Sequence, residues 1–109
     1  MFGRILWTAG ALSLAVPLTA SAAVDKTALC TETAKIVQVA ATERKAGKDA
    51  ARVKQELTRG AGKVEARLTP MVPPLVDWVF MIDAQEMRKP GAAGAVTEQY
   101  REGCLGFEP

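Results

Sequence analysis

The 109-residue sequence has no histidine and no asparagine, and its only serines are Ser13 and Ser21, both near the N-terminus. Without an imidazole base, Ser-His-Asp and Cys-His nucleophilic catalysis are excluded. The ordinary zinc sites, built from clusters of Cys and His, are excluded as well. Gly60-Ala61-Gly62-Lys63 is too short for a phosphate-cradling loop. There is no CxxC motif, no internal repeat, and no run of strand-like alternation. A pair of carboxylates acting on a glycoside is the one hydrolytic chemistry left formally open. The expectation is therefore a non-enzymatic protein with no cofactor and no bound metal.

What is present begins with a leader. Arg4 is followed by an uncharged apolar stretch, Ile5 to Leu18, and by the small residues Ala20-Ser21-Ala22. This is the pattern of a secretory signal peptide over residues 1–22, cleaved after Ala22 or Ala23. The apolar stretch is shorter than the roughly 20 residues of a membrane span. Residues 23–109 then form a single domain, expected in the periplasm or secreted, with no stable membrane insertion after cleavage. Two cysteines remain, Cys30 and Cys104. In an exported chain an even count reads as a disulfide. Closing a loop this long contributes about 4 kcal/mol on the chain-entropy model, which is much of the stability of a small domain.

The most apolar segment beyond the leader is Pro73-Pro-Leu-Val-Asp-Trp-Val-Phe-Met-Ile-Asp83, and it is expected to be the helix around which the others pack. A proline fits its first turn. At 100° per residue Leu75, Trp78, Val79 and Ile82 share one face, with Val76, Phe80 and Met87 on a flank. That flank is either a second core contact or a surface for a partner or a second copy. Asp83 and Glu86 are expected to pair with cations from a neighbouring helix. If buried instead, they are candidate pH sensors.

Before this segment, Asp25 to about Ala46 reads as a helix, with Cys30, Ala34, Val37 and Ala41 in one stripe and Thr27, Thr31, Thr33 and Thr42 mostly outward. Asp25 is its candidate cap and Gly47 its stop. Asp49 caps a second helix, Ala50 to Leu68, weakened by Gly60 and Gly62 and either continuous or broken in two. The central helix runs to about Arg88, and Pro90-Gly91 turns the chain. The last helix, Ala92 to Cys104, carries Val96, Tyr100 and Cys104 in line. Tyr100 reads as a half-buried anchor beside the disulfide, and Phe107 as a residue folded back onto the core. The fold class is all-α: a small bundle of four helices, or five if the glycines break the second, with one disulfide joining first to last.

Charge is uneven. Between Arg44 and Arg67 there are eight cations against three acids, whereas residues 71–109 hold three cations against six acids. Arg44, Lys45, Lys48, Arg52 and Arg59 are the candidate basic face. They either pair with the acidic half or meet an anionic lipid, a cell-envelope polymer or an acidic partner. No aromatics interleave them, which argues against single-stranded nucleic acid, and the near-balanced total charge argues against nucleic acid generally.

Glu43-Arg44-Lys45-Ala46-Gly47, Val76-Asp77-Trp78-Val79-Phe80 and Tyr100-Arg101-Glu102-Gly103-Cys104, behind a leader and a first-helix cysteine, resemble a loose group of small uncharacterised proteobacterial periplasmic proteins, helical with two terminal cysteines. The resemblance implies fold and compartment but no activity. Three functional expectations follow. The first is a non-catalytic interaction module with an unknown protein partner in the cell envelope, using Val76, Phe80 and Met87 or the basic face. The second is an acid- or stress-responsive chaperone. The third is an immunity protein or inhibitor of a secreted cell-wall enzyme.

Overall fold

A computed structural model describes residues 25–107; the expected leader lies outside them. The described residues form five α-helices and no strand. These are α1 (Lys26–Lys45), α2 (Ala50–Thr58), α3 (Val72–Met81), α4 (Ala84–Arg88) and α5 (Ala92–Gly106). Two short 3-10 segments, Ala61–Lys63 and Ala66–Met71, join α2 to α3. The all-α bundle tied between its first and last helices is thus present, with Cys30 and Cys104 bonded.

Helix α1 contains neither glycine nor proline, and its stripe of Cys30, Ala34, Val37 and Ala41 is buried together with Ile36 and Ala40. The small side chains let neighbours approach closely. As a result α1, rather than the Pro73–Asp83 segment, is the element on which the bundle is assembled: it packs along α5 and also touches α2, α3 and α4. Arg44 and Lys45 occupy its last turn, where cations suit the negative end of the helix dipole. Gly47, at φ 97°, lets the chain leave in the left-handed region. Asp25 precedes the helix but its side chain caps nothing.

Thr33 departs from the outward position that its spacing predicts and is fully buried. The reason is that α5 covers a second flank of α1. The hydroxyl stays satisfied: it bonds back to the Leu29 carbonyl at 2.9 Å and accepts from the Tyr100 hydroxyl at 2.8 Å. A buried polar group so paired carries little penalty.

Helix α2 starts where Asp49 accepts the Arg52 N–H at 2.8 Å, and it buries Val53 and Leu57. It does not continue to Leu68. Gly60 and Gly62 adopt φ 106° and 73° and end it, so the broken form of the second helix is the one adopted. At Gly62 a Cβ would lie 3.1 Å from Val39 Cγ2, so glycine is needed there both for its φ and for the close approach to α1.

Helix α3 carries Pro73 and Pro74 in its first turn and buries Val72, Leu75, Val76 and Val79. The central helix expected to run to Arg88 breaks instead at Ile82, which is extended at ψ 141°. Met87 on α4 still reaches the core. Gly91, at φ 76°, turns the chain into α5, whose buried residues are only Ala92 and Val96. Phe107 does not fold back: it is 65% exposed, and it is held by its backbone, the carbonyl accepting from Lys26 Nζ and the N–H donating to the Cys104 carbonyl.

Gly62→Val is predicted to destabilise the fold by about 1–3 kcal/mol through backbone strain and overpacking. Gly103→Ala, on α5 with nothing within 4 Å of the added Cβ, is predicted to stabilise it by roughly 0.5 kcal/mol. Urea midpoints of the two variants check both signs.

Candidate functional site

The candidate residues of the sequence separate into three places. The first is the clasp. Cys30 and Cys104 are bonded, with Cα atoms 5.7 Å apart. Beside them Tyr100 is half-buried, as expected of an anchor. Its hydroxyl donates to Thr33, and its ring meets Trp78 at a centroid distance of 6.0 Å and a tilt of 57°. Such tilted aromatic pairs are favourable beyond the area they bury. One chain of contacts therefore runs from α1 through α5 to α3.

The second place is the flank of Val76, Phe80 and Met87, and of its two readings, core contact or partner surface, the structure takes the first for Val76 and Met87. Val76 is 0% exposed and Met87 only 4%, so neither is available to a partner. Both face core because the break at Ile82 swings α4 back onto α1 and because α2 covers the far side of α3. Phe80 alone stays at the surface, half-buried, with the Arg44 guanidinium 5.4 Å from its ring centroid.

The third place is the basic face, which is largely occupied by internal work. Arg44 Nη1 donates to the carbonyls of Val79 at 2.7 Å and Ile82 at 2.8 Å. Lys45 Nζ donates to those of Met87 at 2.9 Å and Lys89 at 3.2 Å. Two adjacent cations at the end of α1 thus give charged donors to carbonyls at the ends of α3 and α4, of which Val79 otherwise accepts only a long bond from the Ile82 N–H. Hydrophobic periodicity gives no sign of this, since the acceptors are backbone atoms some forty residues away.

Lys48 joins Glu43 and, at 3.0 Å, Glu56, and Arg52 also reaches Glu56 at 3.2 Å. These bonds, Lys48 foremost, hold the Glu56 carboxyl below its usual range, and Glu43 and Glu56 raise the Lys48 ammonium. A carboxyl lowered on folding adds stability at neutral pH that is lost as pH falls through its lowered value. Arg59 is simply exposed. Asp83 and Glu86 do not pair across helices: Glu86 meets Lys89, three residues along, at 2.9 Å. The acid of α3 that does pair with a neighbouring helix is Asp77, with Lys54 of α2 at 2.6 Å. Asp83 and Glu86 are both exposed, which removes them as buried pH sensors.

Two hollows were not foreseen. One, of about 390 Å³, is lined by Arg44, Lys45, Ala84, Met87 and Arg88. The other, of about 380 Å³, is a groove lined by Trp78, Ile82, Pro90, Ala92, Ala95 and Val96, with Glu86, Lys89 and Gln99 completing the wall. Both exist because the central helix breaks at Ile82–Asp83. Among the described residues, no group of His, Cys, Asp and Glu side chains could hold a metal ion, and no helix is long and apolar enough to cross a membrane.

Arg44→Met keeps the aliphatic stem but leaves two helix-end carbonyls without their charged donor. A destabilisation of about 2–3 kcal/mol is predicted, the range for bonds to a charged group. Arg59→Met is predicted to change stability by less than about 0.5 kcal/mol. Chemical denaturation of the two variants side by side tests the difference. No protein-family model matches the chain, and neither a curated protein nor a solved structure matches it.

Proposed function

We propose that the chain is an exported, non-catalytic binding module of the cell envelope that receives an apolar anchor of a protein partner in the groove between α3 and α5. Residues 1–22 serve as its leader, the periplasm is its compartment, and its likeness to small helical periplasmic proteins belongs to this reading. The disulfide supports an oxidising compartment.

The observation that carries the proposal is the groove itself. Trp78 and Ile82 are only half-buried, and beside them Pro90 and Ala95 are exposed. An aromatic wall with apolar neighbours and a few polar groups is the composition of an interface hot spot. Glu86, Lys89 and Gln99 supply polar groups for orienting a peptide backbone. This surface replaces the Val76–Phe80–Met87 flank.

A photo-cross-linking amino acid at Gln99, introduced in the exporting cell, is predicted to give a discrete adduct with one envelope protein. The adduct should be lost when Ala95→Arg fills the groove, and no adduct should form from a cross-linker at Arg59. An adduct that persists in the Ala95→Arg chain, or equal labelling from Arg59, would contradict the groove as the docking site. The circular dichroism of Ala95→Arg should match the parent, because Ala95 is exposed.

A further inference from the structure

We infer that the hollow at the end of α1 is a binding site for a dianionic phosphate group. This inference is independent of the groove, which lies against other residues. Arg44, Lys45 and Arg88 line the hollow together with Ala84 and Met87, and no carboxylate stands in its wall. The acids nearest in sequence are engaged or turned elsewhere. Glu43 is paired with Lys48, Glu86 with Lys89, and Asp83 is exposed outside the hollow.

The donors are both positioned and incompletely used. Arg44 is fixed by two carbonyl bonds from Nη1 and by the Phe80 ring, which leaves its Nε and Nη2 protons for another acceptor. Lys45 gives two bonds from Nζ, and an ammonium has a third proton to give. Arg88 is exposed and carries a full guanidinium fork on the opposite helix. A planar fork held in place loses little freedom on binding and matches a tetrahedral oxyanion.

Charge selects the class of ligand. Three cations meet the C-terminal ends of α1, α3 and α4, and each helix end carries up to about half a negative charge. More than one positive charge is left over, which a phosphate monoester or inorganic phosphate neutralises more fully than a chloride or a single carboxylate does. The volume of about 390 Å³ leaves room for a substituent on the phosphate. The same chemistry is offered by a soluble phosphate and by a phosphomonoester lipid headgroup.

The test is a titration of the disulfide-bonded chain with inorganic phosphate at low, constant ionic strength, followed by amide and arginine Nε–H NMR signals. Saturable shifts are expected at Ala84, Met87, Arg88 and Arg44 Nε, and sodium chloride at matched ionic strength should not reproduce them. Arg88→Gln is expected to weaken binding about tenfold, whereas Arg59→Gln, an exposed cation outside the hollow, leaves it unchanged. In a second arm, phosphatidic acid vesicles are compared with phosphatidylcholine vesicles by sedimentation. Saturation with free phosphate alone assigns a soluble ligand. Sedimentation with phosphatidic acid that Arg88→Gln abolishes assigns a headgroup. Shifts that are non-saturating, equalled by chloride or indifferent to Arg88→Gln, with no Arg88-dependent sedimentation, overturn the inference.

Discussion

The covalent bond between Cys30 and Cys104 is the constraint on which the arrangement of α5 depends. That helix lies along α1 over small and half-buried side chains, with few large ones to hold it. Its buried residues are Ala92 and Val96, and glycine occupies positions 94, 103 and 106. Burying one valine side chain contributes about 1.5–3 kcal/mol, whereas a bond closing so long a loop contributes about 4 kcal/mol on the chain-entropy model. The bond also has a local effect. It fixes the C-terminal turns of α5 against α1, so that Tyr100 meets both Thr33 and Trp78. In this way the clasp at one end of α5 defines the groove along the other.

A second device acts at the opposite end of α1. Short helices leave many carbonyls unpaired in proportion to their length, and α3 and α4 together end in an exposed break. Arg44 and Lys45 supply charged donors to both ends. One long helix therefore anchors three shorter ones by two means, a covalent bond near its start and a pair of cations at its finish. The division explains why a chain with so few large buried side chains can hold irregular connections. The 3-10 segments between α2 and α3 need only Leu68 and the half-buried Val64 and Met71 to dock.

How much of this was legible in the sequence follows from the range of each signal. The stripe Cys30–Ala34–Val37–Ala41, the Asp49 cap, the Pro-led start at Val72 and the Pro90-Gly91 turn are local patterns, and each lies where spacing places it. The cysteine pairing was legible because only one intramolecular pairing exists. Burial of Thr33 was not, because it depends on a hydroxyl partner sixty-seven residues away. The break at Ile82 was hidden for a similar reason. Ala84 to Arg88 continues the helical pattern without a glycine or proline, and what rewards the break is Arg44 donating to the Val79 and Ile82 carbonyls across from α1. Val76 and Met87 take the core contact that the width of the apolar arc allows, and not the partner surface that was its alternative. The two hollows were invisible because the break was.

The central claim is that the clasp, more than apolar burial, keeps α5 in place and so shapes the groove. Hydrogen exchange of the oxidised chain against the same chain reduced by a dithiol tests it most directly. The account predicts that reduction strips protection from the amides of α5, while those of α2 and α3 keep most of theirs. Protection of α5 that survives reduction unchanged would contradict it.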